Sequence, residues 1–287
     1  MTAEELRKRI RRTDSLPTIS SVAQQLLSLP LDTEAGEREL LNLVESDPFI
    51  AARIIGMANS PLFVPGKQIC KVSDAVMVLG LSRVKSIALA IALMSPIRVR
   101  ESKVFSLRDL WLHCFSMALG MRTLAAMLPR ETRPPEDMLF LSGLLHDIGY
   151  LALAYLAPAE FDEFIRRMEA HPEESPLEVE TGIFGIDHSE LGEMLGRNWD
   201  LPEEVLGVIA GHHDEKYHPG NVPLLLARLI EIITGEGAVR RPPGELTLSM
   251  TEELESIGLK PENLDYVRET LEDLREQIAL LADMLAG

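Results

Sequence analysis

The sequence predicts an all-α protein, two packed helical lobes followed by a charged helical tail. Three observations predict it. Helix starts recur, each a capping residue or proline followed by acids, and apolar residues return at spacings of three and four. No stretch alternates apolar and polar residues as a half-buried strand does. With 46% hydrophobic and 25% charged residues in 287, the chain has a globular balance and enough length to bury a substantial core.

Taken in order, Asp47-Pro48 reads as an N-cap with proline at the first helical position, opening a helix from Phe49 to Asn59. Ala75 to Leu79 is short enough for a strand, but Ser73 and Asp74 before it and Gly80 after it favour a short helix. Met138 to Leu156 is apolar and long enough to span a bilayer. His146 and Asp147 sit at its centre, where an ionisable pair is costly in lipid, so it reads as a buried core helix carrying a polar site. Ser175-Pro176 with Glu178 forms a capping box, and Asp187 with Glu190 repeats it. Pro202 before Glu203 and Glu204, and Pro261 before Glu262, mark two further starts with acids in the positive first turn. Val205, Val208, Ile209 and His212 share one face, as do His188, Leu191, Gly192 and Leu195.

These signals divide the chain into an N-terminal lobe over 13–103, a second lobe over 104–235, and a linker with helical tail over 236–287. The linker is Glu236 to Pro243, rich in Gly, Pro and Arg. In the tail, Leu264, Val267, Leu271, Leu274, Ile278, Leu281 and Leu285 form one amphipathic run. That stripe suits either the chain's own lobe or a second copy, as in a homodimer.

Forty-five acidic and 28 basic residues give a formal charge of −17. This disfavours the dense positive face that nucleic acid or an anionic membrane needs, so no nucleic-acid partner and no membrane insertion are expected. The basic cluster Arg7, Lys8, Arg9, Arg11 and Arg12 reads as a solvated terminal helix. Cys70 and Cys114 are far apart and form no paired motif, which fits a reducing compartment. Thr2, Ala3, Glu4 and Glu5 open the chain without an apolar run to follow, so no secretory signal is read and a cytoplasmic location is expected.

His113, His146, Asp147, His188, His212 and His213 carry the chemistry. One histidine on an apolar helix face is ordinarily a satisfied core residue. Several on the inward faces of separate helices, with a carboxylate among them, must be hydrogen-bonded, paired or metal-bound to be tolerated. Imidazole nitrogen with carboxylate oxygen suits zinc, iron, manganese or nickel.

The run Gly143-Leu144-Leu145-His146-Asp147-Ile148-Gly149 resembles the signature of the HD superfamily, where adjacent His and Asp bind metal. His113 matches the upstream histidine of that superfamily. Asp187 to Gly192, then Trp199, Leu201-Pro202 and His212-His213, follow the pattern of its HDOD branch in order and spacing. Leu16-Pro17, Asp47-Pro48, Ala58-Asn59-Ser60 and the Ala75 to Gly80 segment look like the first half of an HDOD domain, so the resemblance covers about 13–235.

The resemblance implies a bacterial signal-transduction module that works through contacts with signalling proteins and has no catalytic residues. The alternative it implies is a metal-dependent phosphohydrolase acting on a nucleotide or cyclic dinucleotide. HD hydrolases close their metal site with a further aspartate. One register puts Arg228 there and a shifted one Thr234, with Glu231 the only acid in that helix before Glu236. An arginine there would pair with Asp147 and repel a dication. Lys216 is the only cation close behind His213, and His171 and His218 are expected to face solvent.

Overall fold

A computed structural model describes residues 8, 18–63, 68–99, 102–214, 220–235, 239 and 243–286. Among these residues every regular element is a helix. Leu16-Pro17, Lys216, His218, most of the Glu236 to Pro243 linker and all of the basic cluster except Lys8, which is exposed, lie outside the described residues.

The first lobe holds α1 (Ser21–Ser28), α2 (Glu34–Ser46), α3 (Pro48–Ala58), α4 (Val72–Leu79) and α5 (Leu81–Met94). Asp47 starts α3 as its sequence suggested: Oδ1 accepts from Phe49 N at 2.9 Å and Ile50 N at 3.2 Å. Asn59 ends it by pairing with Ile69 in both directions at 2.7 Å. Gly80 has φ 88°, a conformation costly for any residue with a Cβ, and there the chain bends 114° from α4 into α5.

The second lobe is built on α6 (Leu107–Ala125), with α7 (Glu136–Leu145), α8 (Ile148–Leu156), α9 (Pro158–Ala170), α10 (Pro176–Phe184), α11 (His188–Asn198), α12 (Glu203–Gly211) and α13 (Val222–Thr234) around it. The apolar run around His146-Asp147 is not one helix. It breaks into α7 and α8 at that pair, and 94% of its most apolar window is buried in protein. Two glycines allow close packing there. A Cβ on Gly143 would lie 2.5 Å from Ala118 Cα, and one on Gly149 would lie 1.8 Å from the His188 carbonyl oxygen. Helix α7 therefore presses on α6, and α8 on α11, closely enough to bring their polar residues together. Ser175 precedes α10, but its side chain makes no cap hydrogen bond; Pro176 at the first position carries that start.

The lobes meet where α5 lies on α7. Arg83 reaches Glu136 at 2.7 Å, and the Ser86 hydroxyl donates to Asp137 O at 3.1 Å. The tail forms α14 (Leu248–Ser256), α15 (Pro261–Asp273) and α16 (Arg275–Ala286), so the expected single run is two helices joined at Leu274. Its stripe turns back onto α6, where Leu264, Val267, Ile278 and Leu281 are buried and Arg108 pairs with Asp283. The chain's own lobe occupies this face. One buried core runs through both lobes and the tail.

Candidate metal centre

Five segments converge. Helix α6 brings His113, the break between α7 and α8 brings His146 and Asp147, and α11 begins with His188. His212 and His213 follow the end of α12, and α13 contributes Glu231. His113, His146, Asp147, His188, His212 and Glu231 are all buried, while His213 is half-buried. The six residues singled out in the sequence are thus brought together, as two donor groups that share Asp147.

The two carboxylate oxygens of Asp147 face different neighbours. Oδ2 lies 3.6 Å from His113 Nε2 and 3.5 Å from His146 Nε2. Oδ1 lies 3.6 Å from His188 Nε2 and 3.5 Å from His212 Nε2. Within the pairs, the Nε2 atoms of His113 and His146 are 3.0 Å apart and those of His188 and His212 are 3.2 Å apart. His213 joins the second group.

The closing carboxylate is Glu231. Its Oε2 sits 3.3 Å from His113 Nε2 and 3.4 Å from His146 Nε2. This corrects both registers considered from the sequence. Thr234 donates its hydroxyl to Ile230 O at 2.8 Å, back along its own helix. Arg228 forms no ion pair with Asp147 among the described residues, because histidines surround that carboxylate. Arg228 instead lines a cleft of about 630 Å³ whose floor includes His212, His213 and Glu231.

Second partners fix which nitrogen each ring offers. His146 Nδ1 donates to Gly143 O at 2.9 Å, and His212 Nδ1 to Ile209 O at 3.0 Å. His188 Nδ1 donates to Glu180 Oε2 at 2.9 Å, while its backbone N–H donates to the same oxygen at 2.6 Å. Glu180, on α10, is fully buried and was not found from the sequence. Its signal is a carboxylate placed between Val179 and the inward face of a helix, eight residues before a candidate ligand. Tyr150 stacks on the His188 ring at 4.0 Å.

With Nδ1 committed as donor, neutral His188 and His212 each keep a lone pair on Nε2. These lone pairs and Asp147 Oδ1 converge within 3.2–3.6 Å, an arrangement that a metal ion would satisfy. Ligands about 2.1 Å from one metal ion stand roughly 3.0–3.4 Å apart, so the spacing also fits. The donor set therefore suits a divalent transition metal in either group.

The electrostatics agree. Burial raises the Asp147 pKa, but the surrounding His146, His212, His113 and His188 together hold it well below the usual carboxylate range. Burial opposes ionisation of Glu231 too, and His113 and His146 outweigh it. Burial depresses His212 despite Asp147, and depresses His213 strongly, so both favour the neutral, ligating form. The Cys114 thiol is pushed well up by burial and by Asp147 and Glu231, which keeps it protonated beside the cluster.

Comparison with known proteins bears on the family and the fold. The HDOD domain model matches residues 16–215. An uncharacterised protein of Treponema pallidum (strain Nichols) is 22% identical over 243 residues, 82% of this chain and 46% of its own length. The crystal structure of a candidate signal transduction protein from Marinobacter aquaeolei VT8 superposes with TM-score 0.84 at 27% identity, covering 99% of this chain and 65% of that one. The chain thus spans about half of the curated relative and just under two thirds of that structure. A candidate phosphohydrolase from Shewanella amazonensis SB2B shares the fold, with TM-score 0.72, 22% identity, 98% of this chain and 97% of its own.

Proposed function

The chain belongs to the HDOD family, and on that premise we propose that it is a signal-transduction module whose buried histidine and carboxylate centre holds divalent metal and whose output is contact with other signalling proteins. The observation that carries this reading is burial of the donors. His146 and His188 are fully enclosed, and His113, Asp147 and His212 nearly so. With Glu231 they come from five segments of the second lobe, so filling the centre ties α6, the α7–α8 break, α11, α12 and α13 into one body. A fully satisfied polar network of this kind rigidifies a core. The likeness to a protein named for signal transduction supports the regulatory role. A cytoplasmic setting is part of the proposal, and Cys70 and Cys114, both free, support it.

One observation favours a second reading, a metal-dependent phosphohydrolase acting on a nucleotide or cyclic dinucleotide. The cleft beside His212, His213 and Glu231 reaches the edge of the centre, and Arg228 on its wall is a residue type suited to phosphate. A metal with an open position would supply Lewis acidity to a phosphate oxygen there. In that reading Arg228 orients the phosphate, and Asp147 and Glu231 supply the negative charge that would hold the metal.

The deciding experiment has two parts. Metal analysis of protein purified without chelators or a histidine tag should find zinc, iron, manganese or nickel. Mononucleotides, cyclic nucleotides and cyclic dinucleotides should not be turned over with manganese, iron or nickel supplied. Metal-dependent turnover that disappears in His146→Ala would overturn the regulatory reading and establish the enzyme.

A further inference from the structure

A second cavity, of about 990 Å³, opens on the other side of α6, where both lobes and the tail meet. That volume lies at the upper end of the range for small-molecule sites, about 300–1,000 Å³. Phe49 and Arg53 on α3, Arg98 beyond α5, Trp111 on α6, Leu151 on α8 and Leu285 on α16 line it. Most of its lining residues are apolar, and two arginines face it in a chain of formal charge −17.

Arg53 is the informative residue. Its Nε is buried without a hydrogen-bond partner. Its guanidinium lies 4.5 Å from the centre of the Phe49 ring, which is 48% exposed. Burial lowers the Arg53 pKa, with no carboxylate raising it. Arg53 is only partly buried, but its enclosed Nε–H without an acceptor costs free energy that an anion would offset. Asp47, the one carboxylate among the described lining residues, has Oδ1 turned to the start of α3.

We propose that this groove binds a small amphiphilic anion, its apolar body on Trp111, Leu151 and Leu285 and its carboxylate or phosphate on Arg53 and Arg98. The occupant would also touch the metal-bearing helices. Trp111 stands two residues before His113 on α6, and Leu151 four residues after Asp147 on α8. A ligand here would therefore report to the centre through two rigid elements. The binding stands on the groove alone; its role as the module's input rests on the regulatory reading above.

The test is fluorescence titration of the full chain with anilinonaphthalene sulfonate, an aromatic anion, and with neutral N-phenylnaphthylamine. Wild-type protein should bind both. Arg53→Gln should weaken the sulfonate about tenfold, as expected for loss of one charge-assisted hydrogen bond, and change the neutral probe less than about twofold. An unchanged melting temperature confirms that this variant is folded, and Arg98→Gln, at an exposed position, serves as the second variant. Displacement of the sulfonate by laurate identifies an acyl carboxylate as the natural chemistry, and displacement by guanosine monophosphate identifies a nucleotide. Equal effects of Arg53→Gln on the two probes, or none on either, overturn the proposal. Phosphoester turnover would overturn the regulatory reading and leave this binding result standing.

Discussion

Glu180 holds His188 twice, accepting from its backbone N–H at 2.6 Å and from Nδ1 at 2.9 Å. Helix α11 begins at His188, so this carboxylate sets both where the helix starts and which ring nitrogen faces Asp147. Glu180→Gln should therefore weaken divalent metal binding by about tenfold or more, the usual scale for a partner behind a ligand. Glu180→Ala should also lower stability by about 1–3 kcal/mol, since two buried donors lose their acceptor. Chelator competition and thermal melts read the two effects separately. Metal affinity identical to wild type in both variants would rule His188 out as a ligand.

Glu231, rather than Arg228 or Thr234, should govern the first donor group. Glu231→Gln is expected to lower metal content or affinity, whereas Thr234→Asp should not raise either. Titration of the metal-free variants with manganese or zinc, followed by calorimetry, distinguishes them. Tighter binding by Thr234→Asp would restore the shifted register.

Metal-free protein should lose stability as pH falls. His212 and His213 have folded-state pKa values below the ordinary 6.5, so between the two values the unfolded chain binds more protons. Their contribution is complete above about 6.5 and declines as pH drops through the depressed values. Asp147 and Glu231, also depressed, contribute above their ordinary carboxylate values and are lost only at still lower pH. Melting temperatures of chelated protein should drop between about pH 7 and pH 5, and His213→Gln should flatten that slope. A profile flat over this interval would contradict neutral burial of the pair.

The close approach of α8 to α11 should be intolerant of a single methyl group. Gly149→Ala would place a Cβ 1.8 Å from the His188 carbonyl oxygen, with backbone on both sides. We expect a loss of about 1–3 kcal/mol or more, together with weaker metal binding, because His188 must move. Gly182→Ala, whose added Cβ meets nothing within 4 Å among the described residues, is the control and should be nearly silent. Similar melting temperatures for the two variants would show that the helices separate more readily than their packing suggests.

Much of this was legible in the sequence because the informative residues violate their surroundings. His146-Asp147 stands out inside an apolar run, and the paired histidines at the end of α12 share a face with Val205, Val208 and Ile209. The break between α7 and α8 was not legible, since periodicity continues across it and only the backbone at Asp147 departs from helix. Glu231 was visible as the one acid of its helix, yet expecting a shorter aspartate at a fixed offset pointed to Arg228. A glutamate three residues along, with one more methylene, reaches the same histidines. Glu180 was missed for a related reason: its partner is eight residues away, and that proximity exists only once α10 has turned into α11.

The tail's return to α6 bears on how the molecule is made. Helix α16 covers a face of α6 that leaves the ribosome roughly 150 residues earlier, which at about 5–20 residues per second is on the order of ten seconds or more. Throughout that interval α6 already displays His113 and its apolar stripe, while the partners that satisfy them have not all emerged. A nascent chain of this kind is exposed to premature metal capture and to sticking to its neighbours. Chaperone engagement during synthesis, rather than the strength of any contact in the finished fold, would then limit how much protein a cell accumulates.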